Sequence, residues 1–179
     1  MTSRAFFSTA LVLAILFTLF LVLGFSSLAA SSLGQATTLA VQAEKTNFVR
    51  SELELNADRV LRGTLQEQLD QGARETNAIE DRLAANFLAF VQQSQAVHPG
   101  FPAVEFHSNA GAIDYAFLRS RFKVLLHEVN GIVFAEFHNA ARDADDTIQA
   151  RIRFDDYMQS FSLPPNYTVT ALKVGACTP

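Results

Sequence analysis

FKVLLHEVNGIVFAEFH, residues 122–138, is the stretch that decides the fold of the folded part of this chain. Two runs of strand-forming residues flank Asn130-Gly131. Asn-Gly is the pair that a type I′ hairpin turn prefers, because both central residues must take positive φ. Pairing Val129 with Ile132 sets the register by counting. One face then carries Phe122, Val124, Leu126, Val133, Ala135 and Phe137. The other carries Lys123, Leu125, His127, Phe134, Glu136 and His138. The apolar set is the core side. The mixed set faces water or a partner, and Leu125, His127 and Phe134 are its candidate contact residues.

Strand signals extend in both directions. Downstream, Ile148, Ala150, Ile152 and Phe154 point one way, and Thr147, Gln149, Arg151 and Arg153 the other. A last strand is expected over residues 167–174, after Pro164-Pro165. Upstream, Val104 and Phe106 alternate with Glu105 and His107. Residues 99–179 therefore read as an antiparallel β domain of four to five strands, with one face covered by helix.

Before residue 99 the period changes to that of a helix. Ile79, Leu83, Phe87, Phe90 and Val91 give a second helix one apolar face, over residues 73–98. Asn77 and Glu80 have capping-box spacing at its start, and His98-Pro99-Gly100 ends it. Before that, Val49, Leu53, Ala57, Val60 and Thr64 make one stripe, widened by Leu61, Leu65 and Leu69. This is an amphipathic stalk helix over residues 31–72, with Gly72 as its stop. No proline precedes Pro99, so the stalk helix is expected to run about 60 Å if unbroken. Residues 29–38, rich in Ser, Ala and Thr, are the place for a kink.

Residues 5–23, AFFSTALVLAILFTLFLVL, carry no charge. Nineteen helical residues span about 28 Å, close to the hydrocarbon thickness of a bilayer. A transmembrane helix is thus expected over residues 5–30, after a short leader at residues 1–4. The run exceeds a secretory h-region of about 7–15 residues, which favours a retained anchor. Ser27-Leu28-Ala29 has the small-x-small form that a signal peptidase accepts, so cleavage stays the alternative. Arg4 and the α-amino group place the N-terminus in the cytoplasm and the C-terminal domain outside, in a single pass of the cell membrane. Leu16 lies near the helix centre. Ala10, Ala14 and Gly24 are small enough to let a neighbouring helix approach closely.

The 179 residues carry a net charge of −4, which excludes a strongly basic nucleic-acid binder. Sixteen Phe and no Trp suit a Phe-packed core. Cys177 is the one cysteine, so no intrachain disulfide forms. It reads as an idle thiol near the terminus, with an intermolecular bond or a tether as the alternative. There is no Gly-rich phosphate loop, GxSxG, HExxH or CxxC. No catalytic, cofactor or metal residue is therefore expected, and the chain reads as a structural or interaction protein rather than an enzyme. His107, His127 and His138 lack zinc spacing and read as surface residues. Asp143, Asp145, Asp146, Asp155 and Asp156 lack the EF-hand pattern and read as solvated turns. Asn166 heads the Asn-Tyr-Thr sequon, a candidate glycosylation site. Arg119, Arg121, Arg151 and Arg153 suggest a mildly basic surface with no assigned ligand.

A few residues ending in Arg4, a hydrophobic helix running into an amphipathic one, and then an antiparallel sheet: this order resembles the type IV pilin-like proteins, archaeal pilins and pseudopilins included. The resemblance covers residues 4–174 in architecture, and Arg4-Ala5-Phe6 is the nearest echo of the family's basic leader. The family's cleavage-site glycine and early helix glutamate have no counterpart here. The resemblance implies a subunit of a surface filament or secretion apparatus. Its N-terminal helix would pack against lipid, other copies of itself or other envelope proteins. The other expectation is a membrane-tethered extracytoplasmic binding or sensor module using the face around Leu125, His127 and Phe134.

Overall fold

A computed structural model describes residues 3–95, 101–109, 111–140, 147–163 and 169–173, with side chains left out at 3–12 and 169–173. The chain is α+β. Helix α1 (Ser3–Asp70) and helix α2 (Thr76–Ser94) precede strand β1 (Ala103–His107) and a short helix α3 (Tyr115–Arg121). Strands β2 (Phe122–Val129), β3 (Ile132–Asn139), β4 (Ile148–Phe154), β5 (Tyr157–Leu163) and β6 (Val169–Lys173) follow. Contacts divide the chain into Met1–Ala43 and Glu44–Pro179. The division falls at the first charged residues after Arg4.

In the first unit no described side chain from Leu13 to Val41 is buried. The helical assignment runs without a break through residues 29–38. The hydroxyls there turn back onto the helix. Ser31 donates to the Leu28 carbonyl at 3.0 Å, Ser32 to Ala29 at 3.0 Å and Thr38 to Gly34 at 2.9 Å. Each of these hydroxyls is thereby satisfied within the helix itself.

The second unit starts on α1, whose expected stripe is the packed one: Leu53, Ala57, Leu61, Leu65 and Leu69 are buried. The helix stops as its sequence dictates. Gly72 takes φ +80°, its N–H donates to Leu69 at 2.9 Å, and the Ala73 N–H reaches Gln68 at 3.0 Å. That pair of bonds is a Schellman motif, which satisfies carbonyls the helix end would orphan. The chain then reverses into α2. Asn86 Nδ2 donates to Thr64 Oγ1 at 3.0 Å between the two helices.

Among the described residues the strands number six and pair as two three-stranded antiparallel sheets, in the orders β1-β4-β5 and β2-β3-β6. The β2–β3 register is the one counted from Asn130-Gly131: Val129 faces Ile132, and His127 faces Phe134. Both turn residues have positive φ, 54° and 75°, as type I′ requires. Strand β5 is an element the sequence reading did not anticipate. It forms because Asp155 adopts φ 51°, which lets Phe154 pair directly with Tyr157. Asp is among the few non-glycine residues that accept that conformation.

Both sheets meet α2, and one of them meets α1 as well. Phe87 of α2 packs edge-on to Phe122 of β2, with ring centroids 5.2 Å apart, and Phe122 does the same to Phe137 of β3 at 4.9 Å. The β1-β4-β5 sheet meets both helices. Phe106 of β1 lies 6.3 Å from Phe90 of α2. On α1, Lys45 sits 4.5 Å over the Phe154 ring and Arg50 5.1 Å over Phe161. Cations on ring faces add to the burial where the helix is still polar.

Candidate functional site

The largest unpartnered feature is the N-terminal part of α1. Among the described residues it is the one helix long and apolar enough to cross a membrane, with an 18-residue window of mean hydropathy 2.4 and none of that window buried. Two of its hydroxyls bond back to the backbone: Thr18 donates to the Ala14 carbonyl at 2.6 Å, and Ser26 to Leu23 at 2.9 Å. A helix, whose backbone hydrogen bonds are closed internally, is a form that apolar surroundings accept. Leu16 is 58% exposed, and a side chain at Gly24 would meet nothing within 4 Å. Ala14 is exposed as well. Ala10 lies in the same helix one turn before Ala14, so the two share a face. The side chain of Ala10 lies outside the described residues.

A second surface is the outer face of the β2-β3-β6 sheet. The hairpin brings Leu125, His127 and Phe134 together: His127 pairs with Phe134, and Leu125 is one row away, facing Glu136. Leu125 and His127 are exposed, and Phe134 is half-buried. His127 Nε2 lies 3.8 Å from Glu136 Oε2, and His138 Nε2 lies 3.4 Å from the same oxygen. His138 Nε2 makes no hydrogen bond despite this approach. His107 is on β1, in the other sheet, so the three histidines do not converge.

The four arginines do not form one surface either. Arg151 and Arg153 lie on β4, and Arg121 stacks on Phe117 at 5.3 Å. Arg119 is engaged by Asn77, at 3.0 Å, and by the carboxylates of Glu80 and Asp81. This clamp is absent from the sequence reading. Helix α2 starts at Thr76, with Glu75 at the N-cap and no side-chain cap bond, so Asn77 and Glu80 are not its capping box. Glu80 is instead 5% exposed, and its Oε1 accepts the Val124 N–H at 3.0 Å. Lys123 Nζ approaches its other oxygen at 3.5 Å. Glu80 thereby caps one N–H on the open edge of β2 and, through Arg119, ties α2 to α3. The Arg119 guanidinium, and then the Tyr115 hydroxyl, hold the Asp81 carboxyl below the usual range. The available signal was Asp114, whose side chain accepts the Phe117 N–H at 2.7 Å and starts α3.

Replacing Glu80 by alanine leaves the Val124 N–H without its acceptor and Arg119 with Asp81 and Asn77 alone. The expected loss is about 2–3 kcal/mol. Glu80→Gln, which keeps one acceptor, is expected to lose about 1–2 kcal/mol. Denaturant titration of the full chain in detergent measures both, and equal stability of all three proteins would show that the clamp is idle.

Asn166, Cys177, Asp143, Asp145 and Asp146 lie outside the described residues. Asp155 and Asp156 form the β4–β5 turn. Comparison of the chain with protein-family models, with curated proteins and with solved structures gives no match.

Proposed function

We propose that this chain is a membrane-anchored structural subunit, pilin-like or minor-pilin-like. It is held in the cell membrane by the N-terminal part of α1 and carries its α+β domain outside the cytoplasm. In this reading it acts by assembly, as part of a surface filament or secretion apparatus, and no residue has a catalytic role. The observation that carries the proposal is a length. Residues 5–43 are thirty-nine uncharged residues in one helix. They extend about 58 Å, whereas a bilayer offers about 30 Å of hydrocarbon. Lipid covers roughly half of the run. Phe25, Leu28, Leu33 and Leu39 beyond residue 23 stay exposed on the isolated chain, and other copies of the helix are the cover that fits them.

A tethered binding module is the second reading, favoured by exposed Leu125 beside His127 and Phe134. Exchange of residues 24–39 for an unrelated uncharged helical span of equal length separates the two. The proposed subunit keeps its membrane attachment and loses assembly. A tethered module keeps its activity, and retention of assembly with the foreign span would overturn the proposal.

A further inference from the structure

Helix α3 is seven residues long, and Leu118 is its one buried side chain. So short a helix is marginal without outside support, because nucleation fixes several residues for one hydrogen bond. Three carboxylates supply that support. Asp114 caps the first turn by accepting the Phe117 N–H at 2.7 Å. Glu80 and Asp81 of α2 both accept from Arg119, near the other end. Tyr115 hydrogen-bonds Asp81 as well. Lys123 of β2 lies 3.5 Å from Glu80. The cluster where α2, α3 and β2 meet is thus balanced, with two acids against Arg119 and Lys123.

We infer that α3 is an acid-released latch: protonation of Glu80, Asp81 and Asp114 frees it from α2 while the two sheets stay paired. Once protonated, Glu80 and Asp81 no longer offset Arg119 and Lys123, so the cluster passes from balance to two positive charges. The Arg119 side chain is only 23% exposed, where water screens that repulsion poorly. Leu118 is then the one buried side chain left to hold α3 in place. The rest of the domain lacks this dependence. Among the described residues Glu80 is the one charged residue that is buried. The Arg50–Glu54, Arg62–Asp58 and Arg74–Glu128 pairs lie at the surface, where an ion pair contributes little. The core beneath them is aliphatic and aromatic. Asp81 sets the sense of the response. Arg119, and then the Tyr115 hydroxyl, hold its carboxyl below the usual range. Its hold is therefore complete above the ordinary aspartate value of about 4, and fades as the pH falls through the lower folded value.

Hydrogen exchange of the full chain in detergent tests this at about pH 6 and about pH 3, with rates corrected for the pH dependence of the chemical step. The Leu118 amide, bonded to the Asp114 carbonyl at 3.1 Å, reports on α3. The Phe137 amide, on the central strand β3, reports on the sheet. Protection of Leu118 should fall at least about ten-fold in acid, with that of Phe137 changed less than about two-fold. Asp81→Asn, at an exposed position, removes one titrating charge and keeps the side-chain shape. It should lower Leu118 protection at the higher pH and shrink the acid effect, and Glu80→Gln with Asp81→Asn should shrink it further. Loss of protection at Leu118 and Phe137 together would overturn the latch, because acid would then unfold the domain as a whole. Unchanged Leu118 protection in acid, or the full acid effect kept in Asp81→Asn, would overturn it as well.

Discussion

Phe122→Ala is expected to destabilise the domain by about 3–5 kcal/mol, the largest loss of any single truncation considered. Phe122 is fully buried and occupies a junction. Its backbone N–H closes the end of α3 on Leu118, and its residue opens β2. Its ring sits between Phe87 of α2 and Phe137 of β3, edge-on to both. Truncation removes two aromatic pairs, each contributing about 0.5–1.5 kcal/mol beyond area burial, and leaves a cavity among three elements. Phe122→Leu should recover most of the loss, because it refills most of the volume. Denaturant unfolding of the full chain in detergent is the measurement. A loss below about 1 kcal/mol would mean that α2 and the β2–β3 hairpin do not share one close-packed core.

Leu16→Lys is expected to cut self-association about a hundred-fold while the chain remains in the membrane. A lysine at the centre of a membrane helix costs about 2.5–3.5 kcal/mol, which eighteen uncharged neighbours from residue 5 to 23 still outweigh for insertion. Between two apolar helices the same charge has no counter-ion, since residues 5–43 contain no acid. Leu16→Ala, which adds no charge, should change association little. Cross-linking in native membranes reads the effect. Equal association for wild type and Leu16→Lys would remove the helix from the interface.

The periodic parts of this fold were legible in the sequence because one local rule governed each. Asn130-Gly131 set the hairpin and its register, and the stripe from Val49 to Leu69 set the packed face of α1. The same logic gave Ile148, Ala150 and Ile152 their inward direction on β4. What was not legible depended on tertiary partners. Tyr157, Gln159, Phe161 and Leu163 alternate only weakly, and β5 follows from Asp155 accepting a left-handed turn. The division into two sheets follows from which strands β4 and β3 find, which no local pattern encodes. Glu80 has the spacing of a capping residue, and its actual partners lie 39 and 44 positions away, at Arg119 and Val124. For the candidate surfaces, the uncharged helix and the mixed hairpin face were both visible from composition and alternation.

Fractionation of native cells tests the central claim most directly. Surface material is sheared off and separated from washed membranes, both are probed for this chain, and its N-terminus is sequenced. The account predicts the chain in the sheared assemblies, with the hydrophobic helix retained and at most a short leader removed. The chain found only in membranes, with nothing in the sheared fraction, would contradict it.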